Sequence, residues 1–229
     1  MTFILNILHR DMSILAADQK AIAERPATAT PDTTVHTKAS SIVHDYNKFI
    51  LNSDRSLALG IAGHTQHHYY THKIQLSVSG VEALPIIRRH MEGFLRVRDL
   101  ADLSTLTDFT VNEGIASFFD QGTGTYFSNT FRFSPIDNAT RLHRAADRVT
   151  ILTAGSGSAH YEKAAGRENI DAFIASRKDS CTQEECIPWM RDVFRRVSSR
   201  DSDSGAEPVF VVSTRSDPKY RFIEVTDRP

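Results

Sequence analysis

A threonine stands directly behind the initiator methionine, in Met1-Thr2-Phe3-Ile4-Leu5. Removal of Met1 would leave a hydroxyl and a free α-amine on one residue. An α-amine titrates near about 7.7, so at neutral pH a useful fraction is neutral and can take the proton of the adjacent hydroxyl, one route to activating a weak nucleophile. Many chains begin this way, and the dipeptide by itself also reads as an exposed strand start. Cys181 and Cys186, in Cys-Thr-Gln-Glu-Glu-Cys, read as free thiols near a helix start, with a local disulfide or half of a metal site as alternatives. No pair of CxxC motifs supports zinc. His64, His67, His68 and His72 crowd one segment, and His68 with His72 has the spacing at which a helix can hold a metal. No HExxH accompanies them, so the segment reads as a polar interface patch and no metal is assigned. Gly155-Ser156-Gly157-Ser158 reads as a loop opening a helix, with Ser156 available as its N-cap.

The elements that must position these groups follow from hydrophobic patterning. Phe3 to Leu8 and Ser13 to Ala17 are apolar runs around a polar His9-Arg10-Asp11 turn, which is a buried hairpin ending on Asp18. Residues 21–40, rich in Ala, Thr and Pro, carry no sustained period from Ala21 to Lys38 and read as a loop insertion. Ser41 to Leu51 and Ser56 to Ile61 read as strands around a turn at Asn52-Ser53-Asp54-Arg55. Helical spacing follows over His64 to Ser77 and Val81 to Val97, with Pro85 tolerated in a first turn. Phe109 to Asn112, Ile115 to Phe119, Thr125 to Phe133 and Val149 to Thr153 read as strands, with a Gly122-Thr123-Gly124 turn between the middle two. A helix then runs from the Gly-Ser-Gly segment through Ala175, a second spans Ile187 to Ser199, and strands at Val209 to Ser213 and Tyr220 to Val225 close the chain. The expected fold is α+β: two stacked antiparallel sheets flanked by helices, a four-layer αββα sandwich, in one domain over residues 1–229.

At 229 residues, with 40% hydrophobic and 24% charged residues, the composition is that of a soluble globular chain. The formal net charge of −1 argues against nucleic acid or a membrane surface as partner, and no apolar stretch is long enough to span a bilayer. The apolar N-terminus lacks a preceding basic segment and is broken by Asn6, His9, Arg10 and Asp11, so it is not read as a signal peptide. A cytoplasmic location is expected.

Taken in order, Ala17-Asp18-Gln19, Lys48-Phe49-Ile50, Gly60-Ile61-Ala62-Gly63, Gly155-Ser156-Gly157 and Arg200-Asp201-Ser202-Asp203-Ser204-Gly205 resemble the motifs of proteasome β-subunits and the HslV-type peptidase. The likeness spans nearly the whole chain and is nearest the betaproteobacterial proteasome homologues. It implies the N-terminal nucleophile hydrolase fold and a threonine-type endopeptidase with no cofactor. Thr2 Oγ would attack the peptide carbonyl with its own α-amine as base. Lys48 would set a cation beside that oxygen, and Asp18 would neutralise and orient the ammonium. The Gly63 amide would face the developing oxyanion. Ser156, Asp201 and Ser204 would hold the α-amine and its water.

The longer first insertion means that Lys48 is assigned by its distance to Gly60-Ile61-Ala62-Gly63, and Lys38 and Lys20 compete with it. Ile22 stands where the family usually has threonine and would pair its main chain with substrate. Ile61 would line the pocket for the residue before the cut bond, giving an apolar preference. The resemblance further implies copies of the same chain as partners, in stacked rings of six or seven subunits, with unfolded peptides as substrates and an ATP-driven unfoldase as feeder. A catalytically silent ring-forming subunit of the same fold, and an amidohydrolase acting on a small amide, are the alternatives.

Overall fold

The computed structural model describes residues 2–24, 40–43, 47–62, 112–133, 138–178, 180–202 and 204–223. The first hairpin organises them. β1 (Ile4–His9) and β2 (Met12–Asp18) pair in register from Ile4↔Ala17 to His9↔Met12. Every residue of both strands is buried, which is why both read as apolar runs rather than as alternating strands. The pair sits inside a five-stranded sheet of order β10-β1-β2-β11-β12, completed by β10 (Thr150–Ala154), β11 (Pro208–Thr214) and β12 (Asp217–Ile223).

A second five-stranded antiparallel sheet has the order β5-β6-β7-β8-β9, from β5 (Phe49–Leu51), β6 (Leu57–Ala62), β7 (Asn112–Asp120), β8 (Thr125–Phe133) and β9 (Asn138–Arg144). The sheets face each other. Ile4, Leu15, Ala17, Leu152 and Val211 of the first share one buried cluster with Phe49, Ala58, Ala62 and Ile115 of the second. On the outer face of the first sheet, Phe3, Leu5, Ile7, Ile14 and Ala16 pack with apolar residues of α1 (Ser158–Ala165), α2 (Arg167–Ser176) and α3 (Gln183–Ser198). The outer face of the second sheet carries a third buried cluster of Ile50, Leu57, Leu59, Ile61, Ala116, Phe118 and Phe131. The described residues therefore form a mixed α+β structure of helices on two antiparallel sheets. The helices expected over His64 to Ser77 and Val81 to Val97 lie outside them, as do the four crowded histidines.

Several boundaries differ from the sequence reading, each for a local reason. The insertion begins as a strand: β3 (Ala21–Glu24) pairs with β4 (Ser40–Val43) in a separate two-stranded sheet. The strand expected over Ser41 to Leu51 is thus divided between β4 and β5, which belong to different sheets. The single helix expected through Ala175 is broken at Gly166, whose φ of +79° suits glycine and ends α1 before α2 begins. β7 runs unbroken through Gly114 where two strands were expected. β9, Asn-Ala-Thr-Arg-Leu-His-Arg, is an exposed edge strand without the apolar alternation that marks a half-buried one. No helix among the described residues is long and apolar enough to cross a membrane.

Candidate functional site

The site forms where the first hairpin ends. Asp18, the last residue of β2, is 1% exposed and has both carboxylate oxygens occupied. Oδ1 accepts from Lys48 Nζ at 2.7 Å and from the Lys20 amide at 2.9 Å, while Oδ2 accepts from the Phe3 amide at 2.6 Å. Since Phe3 follows Thr2 directly, one carboxylate ties the ammonium to the main chain at the threonine. Gly205 lets the loop after α3 close over this group, because a Cβ there would stand 3.2 Å from the Asp18 Cβ.

Lys48 precedes β5 and is 3% exposed. Its carbonyl accepts from the Ile61 amide at 3.2 Å, so β6 holds the lysine's main chain in register. Burial pushes the Lys48 ammonium below the usual lysine range. Asp18 opposes that shift by charge and hydrogen bond, and the Lys20 charge adds to it. The result is a buried ion pair whose cation gives up its proton more readily than a solvated lysine.

Thr2 is buried, and its carbonyl is gripped by the turn between β10 and α1. The Gly157 amide and Ser156 Oγ each lie 3.4 Å from Thr2 O. Gly155 has φ +87°, and a Cβ on it would fall 2.1 Å from Thr2 O. A Cβ on Gly157 would fall 2.6 Å from the Phe3 Cβ. The two glycines flanking Ser156 are what allow the turn to press against the chain start. Ser156 Oγ also lies 3.1 Å from Asp201 Oδ2, which accepts from Ser204 Oγ at 2.6 Å. Asp201 is delivered by the end of α3, its amide donating to the Val197 carbonyl at 2.9 Å.

Thr2, Asp18, Lys48, Ser156, Asp201 and Ser204 are thus joined by hydrogen bonds or chain adjacency into one group. Lys20 joins it through its amide, and its Nζ donates to the Ser202 carbonyl. Lys20 therefore lies beside the pair but is not Asp18's side-chain partner. Ile61 is fully buried in the outer cluster of the second sheet, with Leu59, Ala116 and Phe131. Ile22 lies in β3 opposite Ile42. Gly63, Lys38 and Met1 lie outside the described residues.

Sequence reasoning missed Glu113. Its Oε2 accepts the Gly155 amide at 2.8 Å, and its Oε1 stands 3.2 Å from Arg132 Nε. A lone acid between two expected apolar strands, in Asn112-Glu113-Gly114-Ile115, was the available signal. Cys181 and Cys186 are free and buried with sulfurs 3.1 Å apart, and the Cys181 hydrogen bond and burial push the Cys186 thiol up. Among the described residues no three His, Cys, Asp or Glu side chains converge as a metal site. A cavity of about 440 Å³ is lined by Asp11, Met12, Cys181 and Arg215, at the hairpin-turn end of the first sheet and away from Thr2.

No protein-family model matches the chain, and no curated protein matches it. The chemistry of the site therefore rests on its own geometry.

Proposed function

We propose that the chain is a threonine-type endopeptidase of the N-terminal nucleophile class, with the four-layer αββα fold of that class. The observation that carries the reading is the buried Lys48–Asp18 pair, whose second carboxylate oxygen holds the Phe3 amide beside Thr2. A buried ion pair adds little to stability by itself, so a site that retains one tied to the main chain beside Thr2 is best explained by chemistry. After loss of Met1, the Thr2 α-amine takes the proton from Oγ as Oγ bonds to the substrate carbonyl carbon. The ammonium of Lys48 favours the negative charge building on that oxygen. The amide nitrogen leaves with the proton, an ester remains on Thr2, and water attacking the ester by the same base releases the acid.

Ser156, Asp201 and Ser204 orient the amine and water. Assembly into stacked rings would keep so unselective a nucleophile away from folded proteins. In this reading the chain works in the cytoplasm on unfolded peptides, its partners being other copies of itself and an ATP-driven unfoldase. Turnover of an unstructured peptide by the parent and by Thr2→Ala tests the proposal. Thr2→Ala is expected to lose about 10³-fold or more in kcat, and a variant that cleaves as fast as the parent overturns the mechanism.

A further inference from the structure

Gly155 lies one residue beyond the last rung of the β10–β1 ladder, Ile4↔Ala154, so its amide has left the sheet's hydrogen-bonding pattern. That amide belongs to the turn which grips Thr2. An acceptor for it comes from the opposite sheet, where Glu113 of β7 reaches across with Oε2 at 2.8 Å. The rest of the contact is tight. Glu113 pairs in register with Ala62 of β6, and a Cβ on Gly155 would lie 3.1 Å from the Ala62 Cβ. Arg132 Nε on β8 stands 3.2 Å from Oε1, the other carboxylate oxygen.

We infer that Glu113 is a positioning residue for the Thr2 nucleophile: it clamps the Gly155-Ser156-Gly157 turn onto the second sheet, thereby fixing where Ser156 Oγ meets Thr2 and Asp201. This rests on the peptidase reading above. Glu113 does not touch the reacting atoms. Its effect passes through Gly155 to the Ser156 hydroxyl, which lies 3.4 Å from Thr2 O and 3.1 Å from Asp201 Oδ2. Reach, rather than charge, is what the clamp requires. Glu113→Gln keeps an oxygen at the same distance without the charge, whereas Glu113→Asp keeps the charge on a side chain one methylene too short.

The test is the rate of Thr2 acylation by a threonine-directed β-lactone, followed by intact mass on the full chain, together with hydrogen exchange at the Gly155 amide. Displacement of a reacting group by about 1 Å costs on the order of 10²-fold. Glu113→Asp is therefore expected to acylate about 10- to 100-fold more slowly and to exchange Gly155 faster. Glu113→Gln is expected to stay within about threefold of the parent in both. A merely structural role would not produce rescue by the amide together with failure of the shorter acid. Parental rates in Glu113→Asp, or equal losses in both variants, overturn the inference while leaving the peptidase reading intact. A parent chain that never acylates overturns both.

Discussion

Two buried polar clusters, one in the layer between the sheets and one at the end of the first hairpin, are built on different principles. Midway along the strands, Ser117 Oγ lies 2.7 Å from Ser13 Oγ and 2.8 Å from Ser128 Oγ, receives Tyr220 OH at 2.7 Å, and stands 3.3 Å from the Phe127 carbonyl. Asn6 Nδ2 reaches Ser13 Oγ at 3.1 Å and the Ile14 carbonyl at 2.9 Å, and Tyr126 OH meets Ser213 Oγ at 2.8 Å. All of these side chains are neutral, they come from both sheets, and their partners are protein atoms. Such a network pins the stacking of one sheet on the other. At the strand ends the cluster around Asp18 carries formal charges instead. Removing two ions from water costs several kcal/mol apiece, which a neutral network of the same size would avoid. The mid-strand cluster therefore serves the fold, and in the proposed peptidase reading the strand-end cluster is charged for the sake of the threonine beside it.

That contrast breaks first at Asp18. Asp18→Ala strips the partner from Lys48 and the acceptor from the Phe3 and Lys20 amides, and is expected to cost about 3–5 kcal/mol in urea unfolding. The ordering among variants is the check: a smaller loss than for any mid-strand substitution would contradict the account. Asn6→Ala should cost about 1–3 kcal/mol, because it removes the Asn6 hydrogen bonds to Ser128 Oγ, Ser13 Oγ and the Ile14 carbonyl. It should leave the rate of Thr2 acylation within about twofold of the parent, since no step of the mechanism passes through it.

The two clusters should also titrate with opposite signs. Folded Lys48 holds its proton less tightly than unfolded lysine, so between its lowered pKa and 10.5 the unfolded chain binds more protons and stability rises with pH. Tyr126, pushed up from 10.0 to about 12 mainly by burial, does the reverse: its contribution is full below 10 and is lost as pH climbs towards 12. Urea midpoints across the alkaline range should therefore lose the rising component in Lys48→Met and the falling component in Tyr126→Phe. The smallest effect belongs to Tyr220→Phe, about 1 kcal/mol, because the other three contacts of Ser117 remain.

Legibility in the sequence divides along the same line. β1, β2 and β6 were readable because strands buried on both faces become apolar runs; Asp18 stands at the end of such a run where a charge is conspicuous, and Lys48 was assigned by its distance to Gly60-Ile61-Ala62-Gly63. Ser156, Asp201 and Ser204 were found through motif order, and their hydrogen bonds in the structure run through Asp201. Asn6, Ser13 and Ser117 were passed over, since a single polar residue inside an apolar strand looks like noise until the opposite sheet supplies its partner. Glu113 was missed for the same reason, its partner Gly155 lying across the layer and far along the chain. β9 escaped because an exposed edge carries no apolar alternation, and the break at Gly166 escaped because one glycine inside a helical pattern is often tolerated.

Intact mass of the full chain after treatment with a threonine-directed β-lactone bears most directly on the central claim, that the Lys48–Asp18 pair exists to activate Thr2. The account predicts a parent that has lost Met1 and carries one adduct on Thr2, with adduct formation at least about 10²-fold slower in a folded Lys48→Met variant. A parent that keeps Met1 and stays unlabelled, or a Lys48→Met variant that labels at the parental rate, would contradict it.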